Sequence, residues 1–292
     1  MRVFVAPQKR LSRAMDRVAS ALAEFAPASI EIVQRLEVAD LVVLHVVNHA
    51  DTVESLQYCK DANKRCAIIQ YCVRSTEKPN TVDWIELWRD IPVWSYYDLR
   101  RLCSEDAVPS AALSMFYFAP FGSDFTVFNL KRQPLRYLIA TSGYLAESES
   151  VDAVSAAVEQ FSPEARQFHL GPNLRLGSHV IPKLGISDTE LARSYNASLF
   201  VSGLRRCEGF ELPMLEGFLC GATPITYDKP HYREWFSAMA EFIPEGSAEE
   251  VTAAVLEVFK RGPRSVTSSE YVRVQEVFDW IPIVSGFWEL AL

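Results

Sequence analysis

Two carboxylates, Glu208 and Glu216, stand eight positions apart in the run from Cys207 to Ile225, with a largely apolar segment between them. A carboxylate accepts two neighbouring hydroxyl groups at once through charge-assisted hydrogen bonds. Backbone N–H groups at a helix start carry partial positive charge and hold anionic groups. A short strand over 197–202 precedes the pair. A helix carrying Met214, Leu215, Phe218 and Leu219 follows, with Gly221 where a helix ends and a strand over 223–226 beyond it. Glu208 then falls in the loop ahead of the helix and Glu216 in its first or second turn, so both can face one crevice from different heights. The plainer alternative is an acid at a helix start and an exposed helix carboxylate.

The elements that must position this stretch alternate along the whole chain. Strands are predicted at 2–6, 29–33, 40–47, 66–72, 93–97 and 115–120, and helices at 11–25, 51–63, 82–89 and 98–103, with Asp51 or Thr52 capping the second. The run 40–47 is apolar on both faces, as a central parallel strand requires. After the polar, Pro-containing stretch 130–134 the pattern restarts. Strands are predicted at 135–140, 167–170 and 180–184, a polar loop at 141–150, and helices at 151–161, from Ser187 and at 249–260. Ser187 and Glu190 stand in capping-box register. The fold class is therefore α/β, with two doubly wound, Rossmann-like halves facing across a cleft: 1–130, 131–276, and an aromatic tail 277–292 that packs back toward the first half.

The totals describe an ordinary globular chain of 292 residues, 49% hydrophobic and 23% charged, long enough for two medium domains. A net charge of −8 argues against a broad polyanion-binding face, although Lys131, Arg132 and Arg136 form a local basic patch. The six cysteines show no CxxC pair and read as reduced core thiols. With no signal-type h-region and no apolar stretch of membrane-spanning length, a cytoplasmic location is expected. His45 and His49 stand four apart on or just after a strand with no Glu between them, so no metal site is expected.

The central run EGFELPMLEGFLCGATPI resembles the Glu-x7-Glu motif of retaining glycosyltransferases of family 4, typically EGFGLPxLEAMACGxPVI; Glu208, Gly209, Phe210, Leu212, Pro213, Leu215, Glu216, Cys220, Gly221, Pro224 and Ile225 match. Pro120, Gly122, Asp124 and Phe128 are similar to the family's inter-domain PNGVDxxxF. Leu184-Gly185-Ile186-Ser187 through Leu191 and Tyr195 resembles LGxVSxxELxxLY. The resemblance implies a GT-B fold and a retaining, metal-independent transfer of a sugar from a UDP- or GDP-sugar to a hydroxyl acceptor, with no cofactor beyond the donor. By it Glu208 addresses the donor sugar as a catalytic residue and Glu216 the ribose. Gly209, Phe210, Glu211 and Leu212 supply main-chain contacts, Ser142 and Gly143 line the diphosphate, and Gly185-Ile186 reads the base.

Two departures stand out. The family has Gly-Arg and, five residues later, Lys, two cations on the diphosphate; here Gly143-Tyr144 and Glu149 occupy those places. Arg205 and Arg206, Lys9 and Arg10, or Lys183 could replace them, with Arg206 and Lys183 placed on the donor side. Glu211 stands where the family has Gly, and could crowd the donor sugar or bond it. In the first half the usual Gly-Gly is replaced by 7–10, but Asp40 to His45 is similar to the family's Asp-x4-His strand. His45 is either a catalytic group or a core histidine. Lys9, Arg10, Asn48 and His49 are placed on the acceptor side, where strand ends of open sheets bind ligands. The nucleotide sugar is the expected partner, with a glycan, a small molecule or a modified DNA base as the acceptor. A catalytically silent GT-B scaffold and a transferase acting on modified DNA bases or protein are the alternatives, and the short first half is consistent with a phage-type enzyme.

Overall fold

The computed structural model describes residues 1–6, 13–47, 50–71, 88, 91–99, 115–131, 133–206 and 210–292. They form two units, Met1–Gly122 with Phe278–Leu292, and Ser123–Val277.

The first unit holds β1 (Arg2–Val5), α1 (Arg13–Glu24), β2 (Glu31–Ile32), β3 (Leu41–Val46), α2 (Ala50–Asp61), β4 (Arg65–Gln70), β5 (Val93–Ser95) and β6 (Phe116–Phe118). The strands make one parallel sheet in the order β2-β1-β3-β4-β5-β6. All six residues of β3 are buried, which is why that stretch reads as a continuous apolar run. Met15, Val18, Ala21 and Leu22 bury one face of α1 at helical spacing. Helix α2 starts at Ala50, so both Asp51 and Thr52 lie inside it and neither is its cap. The Thr52 hydroxyl instead donates to the Val47 carbonyl at 2.8 Å and accepts from the Val47 N–H. Of the helices expected at 82–89 and 98–103, nearly all lies outside the described residues.

The second unit holds β7 (Tyr137–Ser142), α3 (Val151–Phe161), β8 (Gln167–Leu170), β9 (Val180–Lys183), α4 (Asp188–Asn196), β10 (Ser198–Gly203), α5 (Leu212–Leu219), β11 (Thr223–Tyr227), α6 (Pro230–Phe236), β12 (Glu241–Ile243), α7 (Ala248–Arg261) and α8 (Ser268–Val277). Its parallel sheet runs β12-β11-β10-β7-β8-β9. Ser187 and Glu190 make the capping box at the start of α4, and Ser247 and Glu250 make another at α7. Strand β7 ends two residues beyond its predicted limit. Thr141, expected in a polar loop, is buried in the strand because its hydroxyl joins Gln167 and His169 of β8, at 2.9 and 3.0 Å.

After α8 the chain returns to the first unit as α9 (Trp280–Ala291), capped by Asp279, whose carboxylate accepts from the Ile281 N–H. Trp280, Ile283, Val284, Phe287, Trp288 and Ala291 are buried, and the Phe287 ring lies 5.5 Å from Trp94 of β5. No described helix is long and apolar enough to cross a membrane. Cys59, Cys66 and Cys220 are free thiols.

Candidate functional site

In an open parallel sheet, ligands bind beyond the carboxyl ends of the strands where successive strands depart in opposite directions. In the second unit that point lies between β7 and β10, because β8 and β9 run to one side of β7 while β10, β11 and β12 run to the other. Ser142, Gly143 and Arg205 sit at these two strand ends, and α5, which follows β10, presents its N-terminus at the same edge of the sheet.

A partly buried ion cluster occupies this edge. Each guanidinium nitrogen of Arg205 has a partner. Nε donates to Glu211 at 2.8 Å, Nη1 donates to Glu149, and Nη2 donates to the Ser142 carbonyl and hydroxyl at 3.2 and 3.1 Å. The side chains are 12% exposed at Arg205, 14% at Glu149 and 2% at Glu211, so the charges meet away from bulk water. One guanidinium faces two carboxylates. The Glu149 carboxylate also accepts the Leu145 N–H at 2.7 Å. Glu211 precedes α5 without capping it, because its carboxylate is turned to Arg205.

Glycine is required at two points around the cluster. Gly143 has φ +146°, and a Cβ there would lie 1.9 Å from Glu149 Oε2. A Cβ on Gly171 would lie 2.1 Å from the Gly143 carbonyl oxygen and 2.6 Å from His169 Nε2. His169 is wholly buried, with Nδ1 at 3.0 Å from the Thr141 hydroxyl and Nε2 near the Gly143 carbonyl but without a well-aligned hydrogen bond. Burial lowers its pKa, and the Arg205 charge adds to that.

Three further sequence-predicted residues lie on or just ahead of α5. Glu216 lies in the second turn of α5, 1% exposed. Phe210 and Leu212 are buried ahead of it and at its start, the Phe210 ring 5.1 Å from Phe236. Arg206 goes elsewhere: it donates to the Gly246 carbonyl at 2.7 Å and pairs with Glu245 at 3.4 Å. Lys183 is exposed as the last residue of β9, Gly185 is exposed beyond it, and Ile186 is half-buried. Glu208, Gly209, Lys9, Arg10, Asn48 and His49 lie outside the described residues.

His45 is 2% exposed within β3, and its Nδ1 shares a 2.8 Å hydrogen bond with the Tyr71 hydroxyl. Burial lowers its pKa to about 4, so the ring is neutral at ordinary pH. Among the described residues no three His, Cys, Asp or Glu side chains gather where they could share a metal ion. Sequence reasoning put Arg205 among the replacement cations without its two carboxylates. The signal was the pair of departures themselves: each new glutamate stands where an arginine can neutralise it.

No protein-family model matches the chain, and no curated protein matches it by sequence. Solved structures do match. The Anabaena protein HepE, in complex with UDP and glucose, superposes with a TM-score of 0.73 at 13% identity over 99% of this chain and 98% of its own. A sucrose-phosphate synthase from Thermosynechococcus elongatus gives 0.68 at 15% identity over 86% and 73%. A glycosyltransferase from Rickettsia africae gives 0.67 at 12% identity over 99% and 97%. What this chain shares with them is the fold: two six-stranded parallel sheets with flanking helices, the GT-B architecture.

Proposed function

We propose that the chain is a retaining glycosyltransferase that moves a sugar from a nucleotide-diphosphate donor to a hydroxyl acceptor, without a metal ion. The observation that carries this reading is the placement of α5, the helix that carries Glu216. It follows β10 and presents its N-terminus beside the strand-end switch point, on a fold shared with a protein seen with UDP and glucose. In this reading Glu208 holds hydroxyls of the donor sugar and Glu216 those of the ribose. The backbone of 209–212 and the N-terminus of α5 face the diphosphate, whose negative charge grows as it leaves. The departing diphosphate oxygen takes the proton of the attacking hydroxyl on the same face of the sugar, which needs no protein nucleophile and retains configuration. Gly185 and Ile186 contact the base.

A second reading, a catalytically silent GT-B scaffold, is favoured by one feature: Arg205 is bound to two carboxylates where the family resemblance implies two cations free to grip phosphate.

A thermal-shift screen of UDP, GDP and their sugars, followed by donor-hydrolysis assays on the responders, separates the two. Turnover that disappears in Glu208→Ala supports the transferase. No stabilisation and no hydrolysis with any donor supports the scaffold. The configuration of the released sugar, read by NMR, tests retention.

A further inference from the structure

We propose that the Glu149 carboxylate occupies, from within the chain, an anion subsite that accepts a phosphate group of the ligand when this side chain turns away, so that Glu149 sets how tightly a diphosphate binds.

Two donors converge on the place it fills: the Leu145 N–H reaches it at 2.7 Å and Arg205 Nη1 reaches it directly. The Ser142 hydroxyl accepts from Nη2 of the same guanidinium at 3.1 Å. The absence of a side chain at Gly143 makes the room, since a Cβ there would sit 1.9 Å from Glu149 Oε2. Backbone N–H and guanidinium donors around a space cleared by glycine, at the strand-end switch point of a parallel sheet, suit a phosphate as well as a carboxylate.

The arginine is aimed. Glu211 fixes Nε at 2.8 Å, Ser142 fixes Nη2, and Nη1 is left directed at Glu149. The two carboxylates differ in their ability to leave. Glu211 is 2% exposed and held ahead of a helix, whereas Glu149 is 14% exposed and belongs to the turn before α3. Rotation of the Glu149 side chain alone uncovers the Leu145 N–H and Arg205 Nη1. Glu211 and Ser142 are thus positioning residues, and Glu149 is an internal competitor.

That the anion is a nucleoside diphosphate rests on the transferase reading; that the subsite takes an anion does not. The test is calorimetric titration of the full chain with inorganic pyrophosphate, UDP and GDP. The proteins are wild type, Glu149→Ala, the near-isosteric Glu149→Gln, and the triple variant Glu149→Gln/Arg205→Met/Glu211→Gln, which leaves no unpaired charge from the cluster. A full charge at hydrogen-bond distance in a partly buried site outweighs a tenfold change in affinity. Both single variants are therefore expected to bind pyrophosphate at least tenfold more tightly than wild type, and the triple variant is expected to lose that gain. Pyrophosphate affinity no higher than wild type in either single variant, or a gain that survives without Arg205, overturns the proposal. Tighter pyrophosphate binding with no nucleotide sugar bound or turned over by any variant supports the subsite and defeats the transferase reading. Turnover in wild type without the gain defeats the subsite alone.

Discussion

The guanidinium of Arg205 and the carboxylate of Glu211 meet at 2.8 Å, tying the end of β10 to the residue ahead of α5. The integrity of this pair decides how the strand end and the helix start are spaced. Removing one partner of a mostly buried pair leaves an uncompensated charge, which destabilises by about 3–5 kcal/mol. Arg205→Ala strands two carboxylates and is expected to fall in that range by urea unfolding. The triple variant Glu149→Gln/Arg205→Met/Glu211→Gln removes every charge and should lie within about 2 kcal/mol of wild type. A loss below about 1 kcal/mol for Arg205→Ala would show the cluster to be solvated and loosely held.

The two motif glutamates should separate kinetically. Glu208 is assigned to the sugar, where charge develops in the transition state, so Glu208→Ala is expected to abolish turnover. Glu216 is 1% exposed in α5 and assigned to the ribose, which does not react. Glu216→Gln keeps the volume and removes the charge, and a charged hydrogen bond contributes about 1.5–3 kcal/mol. That corresponds to a donor KM raised about tenfold to a hundredfold with kcat within a few-fold. Steady-state kinetics over a donor series measures both. Equal losses of kcat in the two variants would refute the division of roles.

Local rules made much of this fold legible. The six apolar residues of β3, the capping box Ser187/Glu190 and the aromatic spacing of α9 each carry their reason within a few neighbouring positions. Helix α6 was missed although Pro230 at its first position announces a start. Strand β12 was missed because three residues carry no readable period. The motif glutamates were visible because both lie in one stretch. The Arg205–Glu149 contact was not, because it joins positions 56 residues apart and exists only once β7 and β10 are neighbours. The extra length of β7 was hidden for a similar reason: Thr141 is polar, and its partners His169 and Gln167 come from the next strand.

Gly143 offers a test of how the turn before α3 is built. Its φ of +146° is strained for any L-residue, by about 1–3 kcal/mol. Its Cβ would also meet the tip of Glu149, which can yield only by leaving Arg205. Gly143→Ala should therefore destabilise through both routes, whereas in a Glu149→Ala background only the backbone route is left. A double-mutant cycle by urea unfolding is expected to show coupling above about 0.5 kcal/mol. Additivity within that limit would mean that the two residues do not share the space.

His45 makes an acid-side prediction whose sign follows from burial. Its pKa is about 4 in the folded chain against 6.5 for an ordinary imidazole, because the ring is buried beside Tyr71. Between those values the unfolded chain holds more protons than the folded one, so stability rises with pH across that window and is level above it. Falling from pH 6.5 to 4, the chain should lose about 3 kcal/mol through this residue. His169, whose pKa is lowered in the same direction, adds to the slope. His45→Asn keeps a polar partner for the Tyr71 hydroxyl and does not titrate. Urea unfolding free energies measured at intervals from pH 4.5 to 7.5 should show a shallower slope for this variant below pH 6.5 and a parallel course above it. Identical slopes in both proteins would mean that the imidazole protonates in the folded chain as readily as in the unfolded one, and would overturn the link between its burial and acid stability.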